Sequence, residues 1–458
     1  MPTRISLFIA CFILALGIFA PLGTSAQTGQ LVNGYVVNAQ TKQVVPYATV
    51  VLSITGKGSA TDFSGYFEIW VDSLPSSDTL WVSSVGFLPK KFPLTSNYQA
   101  LKTFELQPST QQLREVTVAA KAESADEIIA KAIKRKEDLL PNKPRLMETL
   151  YREIVKNEGR YVGMTEAEGI LFLGGFQKSN LRDGLPELTQ DVAQWKHLRR
   201  TDYAITDDLR PQQARRLSVN RLLMLKEQYM YNGPLSKAGS KTFQYRIDRV
   251  LYEGNLPVYV LQFAPIDTNQ KYPSGSIQVR SEDYGVVSLE VINDIDPLLP
   301  KEKSESQIQF VTTKFQMRFL KLEEFYHPHH IRLEAAYSVE YPNSEAPSKR
   351  VEEFLELVGG KFTNQKAPAL NTNQRTVMYH EMVNPVIRYD HNYWVQKRVA
   401  YEMAFGTVVT ELSQGESMDI QFLFHNGKRI YPLPKGYQSY EELMQDKNAI
   451  FNWMNTSN

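Results

Sequence analysis

Alternation of apolar and polar residues, interrupted at short intervals by turn-forming residues, most constrains what this chain can fold into. A period of two puts successive side chains on opposite faces, so each alternating segment reads as a strand with one face toward a core. Six such segments follow one another at 243–254, 256–266, 275–294, 306–322, 330–341 and 349–359. Successive antiparallel strands of that length curl into an open half-barrel or a large twisted sheet, with an apolar face free to hold a helix or a ligand. Shorter segments occupy 31–38, 47–54, 65–71, 79–87 and 102–107, with no helical period between them. Pro46 and the turn at 62–65 stop strands there, because Pro lacks an amide donor and Gly accepts positive φ. The pattern predicts a mainly β protein with some α: an N-terminal antiparallel β-sandwich, a helix, then a larger antiparallel half-barrel or twisted-sheet domain.

Helical signals are few. Ser124 and Glu127 form a capping-box signature, and Ile128, Ile129, Ala132, Ile133, Leu139 and Leu140 make the apolar stripe of a helix that ends before Pro141. The basic run Lys131, Lys134, Arg135 and Lys136 on this helix reads as a solvated face, with Glu137 and Asp138 beside it. A strand pair is expected over 147–173, turning near Asn157 to Gly159, followed by a helix-leaning polar stretch from Leu188 to about Tyr231.

Ahead of all this, Arg4 precedes an apolar run from Ile5 to Ala20, and Thr24, Ser25 and Ala26 supply a small-residue cleavage site. That is the layout of a secretory signal peptide, and the apolar run is short of the roughly 20 residues that span a bilayer. Its removal would take away Arg4 and Cys11, the single cysteine, leaving equal numbers of basic and acidic residues. A mature chain without cysteine has no disulfide, no thiolate nucleophile and no thiolate metal ligand. With 51 Lys and Arg against 50 Asp and Glu, 42% hydrophobic and 22% charged residues, the composition is that of a globular protein. It excludes a disordered chain, a coiled coil and a protein that holds nucleic acid by bulk charge. The expected organisation is a signal peptide at 1–26, the sandwich at 27–110, a linker strand and helix at 111–145, the β-meander domain with a helical insertion at 146–365, and a C-terminal extension at 366–458 packing on it.

Gly34 and Val36, the PYATV segment at 46–50, TDFSGYF at 61–67 and SVGF at 84–87 give the first domain a recognisable text. In that order they resemble the carboxypeptidase regulatory-like domain, a transthyretin-like sandwich of exported bacterial proteins. The resemblance implies a folding or interaction unit and no activity of its own. LREVTVA at 113–119 is similar to the short strand that follows this sandwich in outer-membrane receptors, although no plug or barrel series follows here. The order YRIDRVLYEG, VYVLQFAP, GSIQVRSEDYGVVSLE is similar to an uncharacterised envelope family that joins the same sandwich to a half-barrel reminiscent of lipoprotein carriers. Members of that family often continue into a barrel. The ending at 440–458 lacks an aromatic-terminated closing strand, so the resemblance implies outer-membrane association without a membrane-spanning segment.

Few residues suggest chemistry. A zinc carboxypeptidase needs His and Glu three apart, and none of the seven histidines has Glu at plus three. The HExxH pattern fails at His380-Glu381, which runs into Pro385. Glu323, Glu324, His327, His329 and His330 form the sharpest cluster, since an extended backbone would place His327 and His329 on one side and two imidazoles with a carboxylate suit a divalent ion. A polar turn between the 306–322 and 331–341 strands accounts for the same residues. Asn293, Asp294 and Asp296 lack the glycine and distal Glu of a calcium loop. Tyr389, Tyr393 and Trp394 with Arg388 form an aromatic-basic segment able to stack on a glycan or peptide, and core packing uses the same residues. No nucleophile elbow, phosphate loop or dinucleotide fingerprint occurs, so no cofactor and no catalytic residue is assigned. The reading that results is an exported, non-catalytic protein of the periplasm or outer membrane that binds a partner protein or an apolar or glycan ligand. Its alternatives are a metal-dependent hydrolase with a site near 323–330 and an assembly factor for an outer-membrane machine.

Overall fold

The computed structural model describes residues 30–109, 123–175, 191–201, 218–293 and 307–362, each with short gaps, and parts of 387–436. Two β units make up the described chain. The first comprises β1 (Gln30–Asn38), β2 (Thr49–Leu52), β3 (Gly58–Ala60), β4 (Tyr66–Val71), β5 (Thr79–Ser83), β6 (Lys90–Pro93) and β7 (Lys102–Leu106). One sheet runs β4-β1-β7 and the other β3-β2-β5-β6. Val32, Val36, Phe67 and Ile69 from the first sheet meet Val50, Leu52, Leu80 and Val82 from the second, as the alternation requires. One pair departs from the antiparallel expectation: β1 and β7 run parallel. Gly34 permits that pairing, because a Cβ there would lie 2.4 Å from the Lys102 carbonyl and 2.5 Å from the Phe104 ring.

The second unit begins with helix α1 (Ala125–Leu139). Its capping box is formed: Glu127 N–H donates to Ser124 Oγ at 3.2 Å and Ser124 N–H to Glu127 Oε2 at 2.8 Å. The predicted apolar stripe is buried, and Lys131, Lys134 and Arg135 are exposed. Lys136 is not on that solvated face. Its Nζ donates to the carbonyls of Met230 (2.5 Å) and Leu235 (2.8 Å), holding the end of a second helix, α2 (Ser218–Tyr231), with cationic charge placed where a helix C-terminus favours it.

Ten strands form a single antiparallel sheet. They are β8 (Arg145–Asn157), β9 (Arg160–Leu173), β10 (Val192–Arg200), β11 (Phe243–Glu253), β12 (Leu256–Pro265), β13 (Ser274–Arg280), β14 (Val286–Asn293), β15 (Gln307–Leu322), β16 (Phe325–Glu340) and β17 (Lys349–Phe362). The order is β10-β9-β8-β17-β16-β15-β14-β13-β12-β11, so the last meander strand closes back on the first hairpin while the sheet itself stays open. A short helix, α3 (Gly239–Thr242), leads into β11. Residues 192–200 correct the helix-leaning reading of 188–231: they pair with β9 as an edge strand, and only the part from 218 is helical. Pairing against β9 outweighs the weak helical preference of that polar stretch.

One face of the sheet carries Leu261, Ile277, Val291, Phe315, Met317, Leu333, Leu355 and Leu357. Leu222, Leu223, Leu225, Tyr229 and Met230 of α2, with Ile128, Ile129 and Ala132 of α1, fill it. Charge also enters this layer. Arg221 of α2 donates to Glu353 at 3.1 Å, Tyr337 donates to the same carboxylate at 3.0 Å, and Lys226 pairs with Asp191. The opposite face is polar, and part of it meets the sandwich.

Candidate functional site

The three clustered histidines lie within β16, which corrects the turn reading of residues 323–330. Leu322 is the register partner of Phe325, so the reversal takes only residues 323 and 324. Glu324 is exposed there, and Glu323 lies outside the described residues. Pro328 pairs with Phe319 and His330 with Arg318, leaving His329 as the extra residue of a β-bulge, the place where a strand tolerates proline. All three imidazoles are buried, at 0% exposure for His327 and His330 and 4% for His329. They go to different neighbours: His327 lies 4.6 Å from the Phe362 ring, while His330 lies 3.8 Å from Tyr47 and donates from Nε2 to Glu356 Oε1 at 2.9 Å. Among the described residues no three His, Cys, Asp or Glu side chains gather as a metal ion would need. Burial lowers His327 to about 4 and His329 to about 3, and with Arg318 and Arg332 nearby it holds His330 well below its ordinary value. All three are therefore neutral at neutral pH.

The C-terminal aromatics are also covered by protein. Tyr389 is 3% exposed, against His391 and Phe422. Tyr393, in the short helix α4 (His391–Val395), stacks on His197 of β10 at 3.6 Å and 7°, and its hydroxyl bonds Glu168. Trp394 is 1% exposed with the Arg199 guanidinium 4.3 Å above its ring. Arg388 lies outside the described residues. Tyr389 and Trp394 are thus buried, and half-buried Tyr393 gives one ring face to His197.

Arg199 opens onto the feature that sequence reasoning missed, a buried seam of charge on the polar face of the sheet. Arg152 is the register partner of Glu166 in β9 and of Glu356 in β17, and Arg199 is the partner of Glu166, so the four side chains share one face. Arg199 donates to Glu166 Oε2 from Nε at 2.8 Å and from Nη2 at 2.5 Å. Arg152 donates from Nε to Glu166 Oε1 at 2.8 Å, and from Nη1 to Asp62 Oδ2 at 3.2 Å and Glu356 Oε2 at 3.4 Å. Asp62 belongs to the sandwich. Burial tends to raise the Glu166 carboxyl, but Arg199 and Arg152 outweigh it and hold it below its ordinary value. Burial raises Asp62, with Glu356 adding to the rise and Arg152 opposing it.

The sandwich contributes its two contacts from its own turns. Asp62 Oδ1 accepts from Ser64 N–H (2.9 Å), Ser64 Oγ (2.5 Å) and Tyr66 N–H (3.0 Å), closing the turn before Gly65 at φ +76° and leaving Oδ2 for Arg152. Tyr47 sits at φ +62°, a conformation that costs a non-glycine residue on the order of 1 kcal/mol. Its ring covers His330, its hydroxyl accepts from Arg332 Nη1 at 2.6 Å, and the Arg318 guanidinium lies 4.7 Å from the ring centroid. The seam therefore links the C-terminal stretch, the sheet and the sandwich through one run of contacts. Its carboxylates are out of solvent, with Glu356 at 0%, Glu166 at 2% and Asp62 at 3% exposure. Groups so placed fasten these elements to one another. Tyr47 and Asp62 were visible in PYATV and TDFSGYF as module letters, but the adjacency of β9, β8 and β17 that assembles the rest has no signal in the sequence.

The Asp62 turn lies in the part of the chain that matches a family model. Residues 32–118 match the family model of the CarboxypepD_reg-like domain. No curated protein matches the chain. Among solved structures, a domain named for outer-membrane lipoprotein sorting from Vibrio parahaemolyticus is 13% identical, over 55% of this chain and 97% of that one, at a TM-score of 0.23. A LolA superfamily protein from Nitrosomonas europaea is 12% identical, over 54% and 96%, at 0.20. A DUF1329 family protein from Desulfovibrio piger is 10% identical, over 55% and 96%, at 0.23.

Proposed function

We propose that this chain is an exported, non-catalytic protein of the cell envelope that binds a partner protein. The observation that carries the reading is the use of one set of buried side chains: His330, Asp62, Glu166, Glu356, Arg152 and Arg199 are spent on fastening sandwich, sheet and C-terminal stretch to one another. An acyl-chain carrier needs a dry apolar hollow, whereas the layer between α2 and the sheet holds packed apolar side chains and the ion pair of Arg221 with Glu353. Glycan stacking on Tyr389 or Trp394 would require uncovering rings that protein already covers. The apolar run and cleavage-like tripeptide before residue 27 support export. No helix among the described residues is long and apolar enough to cross a membrane.

The test uses the full chain purified from the envelope fraction of its native cells. Its bound lipids, sugars and metals are measured by mass spectrometry, and the same sample is run against esterase, peptidase and glycosidase substrates. The expected result is a stoichiometric protein complex that survives purification, with no ligand near one per chain. A stoichiometric lipid, or a hydrolase activity abolished by His330→Asn, would overturn the reading.

A further inference from the structure

At one end of the helix-covered layer the first residues of β8, the ends of β9 and β10, helix α2 and the bulged start of β16 leave a small notch. Arg145, Lys143, Lys226, Asp191 and His327 line it, with Pro328 beside them. The void inside measures about 10 Å³, enough for one water-sized atom. Lys226 and Asp191 neutralise each other, and Asp191 also accepts from Gly174 N–H at 3.0 Å. Arg145 and Lys143 have no ion-pair partner among the described residues, so the lining carries uncompensated positive charge.

His327 makes the notch more than a basic dent. Its side chain is at 0% exposure, yet neither ring nitrogen has a hydrogen-bond partner. A buried polar group left without a partner costs about 1–3 kcal/mol, which an acceptor placed in the notch beside it would recover. The neutral ring offers one N–H, which needs an acceptor. An occupant suited to these groups is no wider than an oxygen at its tip and accepts a hydrogen bond, and Arg145 and Lys143 favour one that carries negative charge. A carboxylate meets those terms with one oxygen in the notch and the other toward Arg145.

We propose that the notch receives a single carboxylate of the partner protein, either its chain terminus or an acidic side chain. His327 and Arg145 hold the carboxylate and Lys143 supplies charge at the mouth. The assignment rests on the partner-binding reading, but its test needs no partner. Formate, the smallest carboxylate, is titrated into the purified full chain against sodium chloride at equal ionic strength, and the thermal midpoint is followed. Formate is expected to raise the midpoint further than chloride. In Arg145→Gln, which removes no intramolecular ion pair, the apparent formate affinity should fall at least about tenfold. Short peptides then separate the two sources. A free C-terminus that competes with formate where its amidated form does not marks a chain terminus. Competition from an amidated peptide bearing Asp or Glu marks a side chain. Equal responses to formate and chloride, or an undiminished formate response in Arg145→Gln, would overturn the site and assign the void to water, leaving the partner-binding reading to its own experiment.

Discussion

Arg152 is the residue on which the seam depends, because its guanidinium faces three carboxylates from three elements. Replacing it with Ala leaves Asp62, Glu166 and Glu356 buried with reduced compensation, and removing one partner of a buried charge pair costs about 3–5 kcal/mol. Urea unfolding of Arg152→Ala is expected to show a loss in that range, with Arg152→Lys recovering only part of it, since an ammonium cannot reproduce the fork of bonds. The buried histidines set the pH response. Each is held neutral in the folded chain and protonates near 6.5 when unfolded, so the unfolded state takes up more protons as pH falls below that value. Stability is therefore full above about 6.5 and is lost as pH falls toward the depressed values of about 4 for His327 and about 3 for His329. The loss is up to about 1.4 kcal/mol per unit for each ring. Glu166 acts in the same sense at lower pH and Asp62, being raised, in the opposite one. Urea midpoints at pH 7.5 and 5.5 check this, and a flat response would contradict it. At this scale the sequence showed which residues were unusual but not what they touch: His330 was conspicuous in its string, while its partners Tyr47 and Glu356 are far from it along the chain.

Among the elements, the extent and apolar stripe of α1 were legible because capping, stripe and termination are local, whereas the burial of Lys136 against α2 was not. Ser124→Ala should cost about 1 kcal/mol through the lost cap, read from chemical denaturation. The meander was legible too, since alternation survives any pairing order, except that the 275–294 segment read as one strand is the antiparallel pair β13 and β14, reversing at 281–285. Strand β10 was not, because a polar edge strand owes its form to the neighbour it lies against. Gly169 shows how closely it lies: a Cβ there would stand 2.0 Å from the Gln194 carbonyl and 2.8 Å from the Trp195 Cα. Gly169→Ala is expected to push β10 off the sheet, raising amide exchange across 192–200 while leaving β13 and β14 protected. Unchanged protection in β10 would show that the strand can shift to admit a methyl group.

For the whole molecule, the contacts of Tyr47 and Asp62 across the junction predict that the sandwich and the sheet unfold as one unit. Calorimetry of the full chain should give a single endotherm. Tyr47→Ala removes the ring over His330 and the acceptor for Arg332, and is expected to split that endotherm in two, whereas one peak at an unchanged temperature would show that the docking is independent of Tyr47. Nothing in the alternation foretold this docking, because both surfaces read as ordinary polar strand faces and turns. Among the described residues the open sheet of ten strands also has two margins, β10 and β11, each paired on one side. Both margins are irregular: the pairing of β10 shifts between Trp195 and His197, and that of β11 between Ile247 and Arg249, where Arg246, Asp248 and Arg249 add charge. A bulged and charged rim is a poor template for another strand. A molecule with such margins resists stacking edge to edge into fibrils and stays dispersed when crowded.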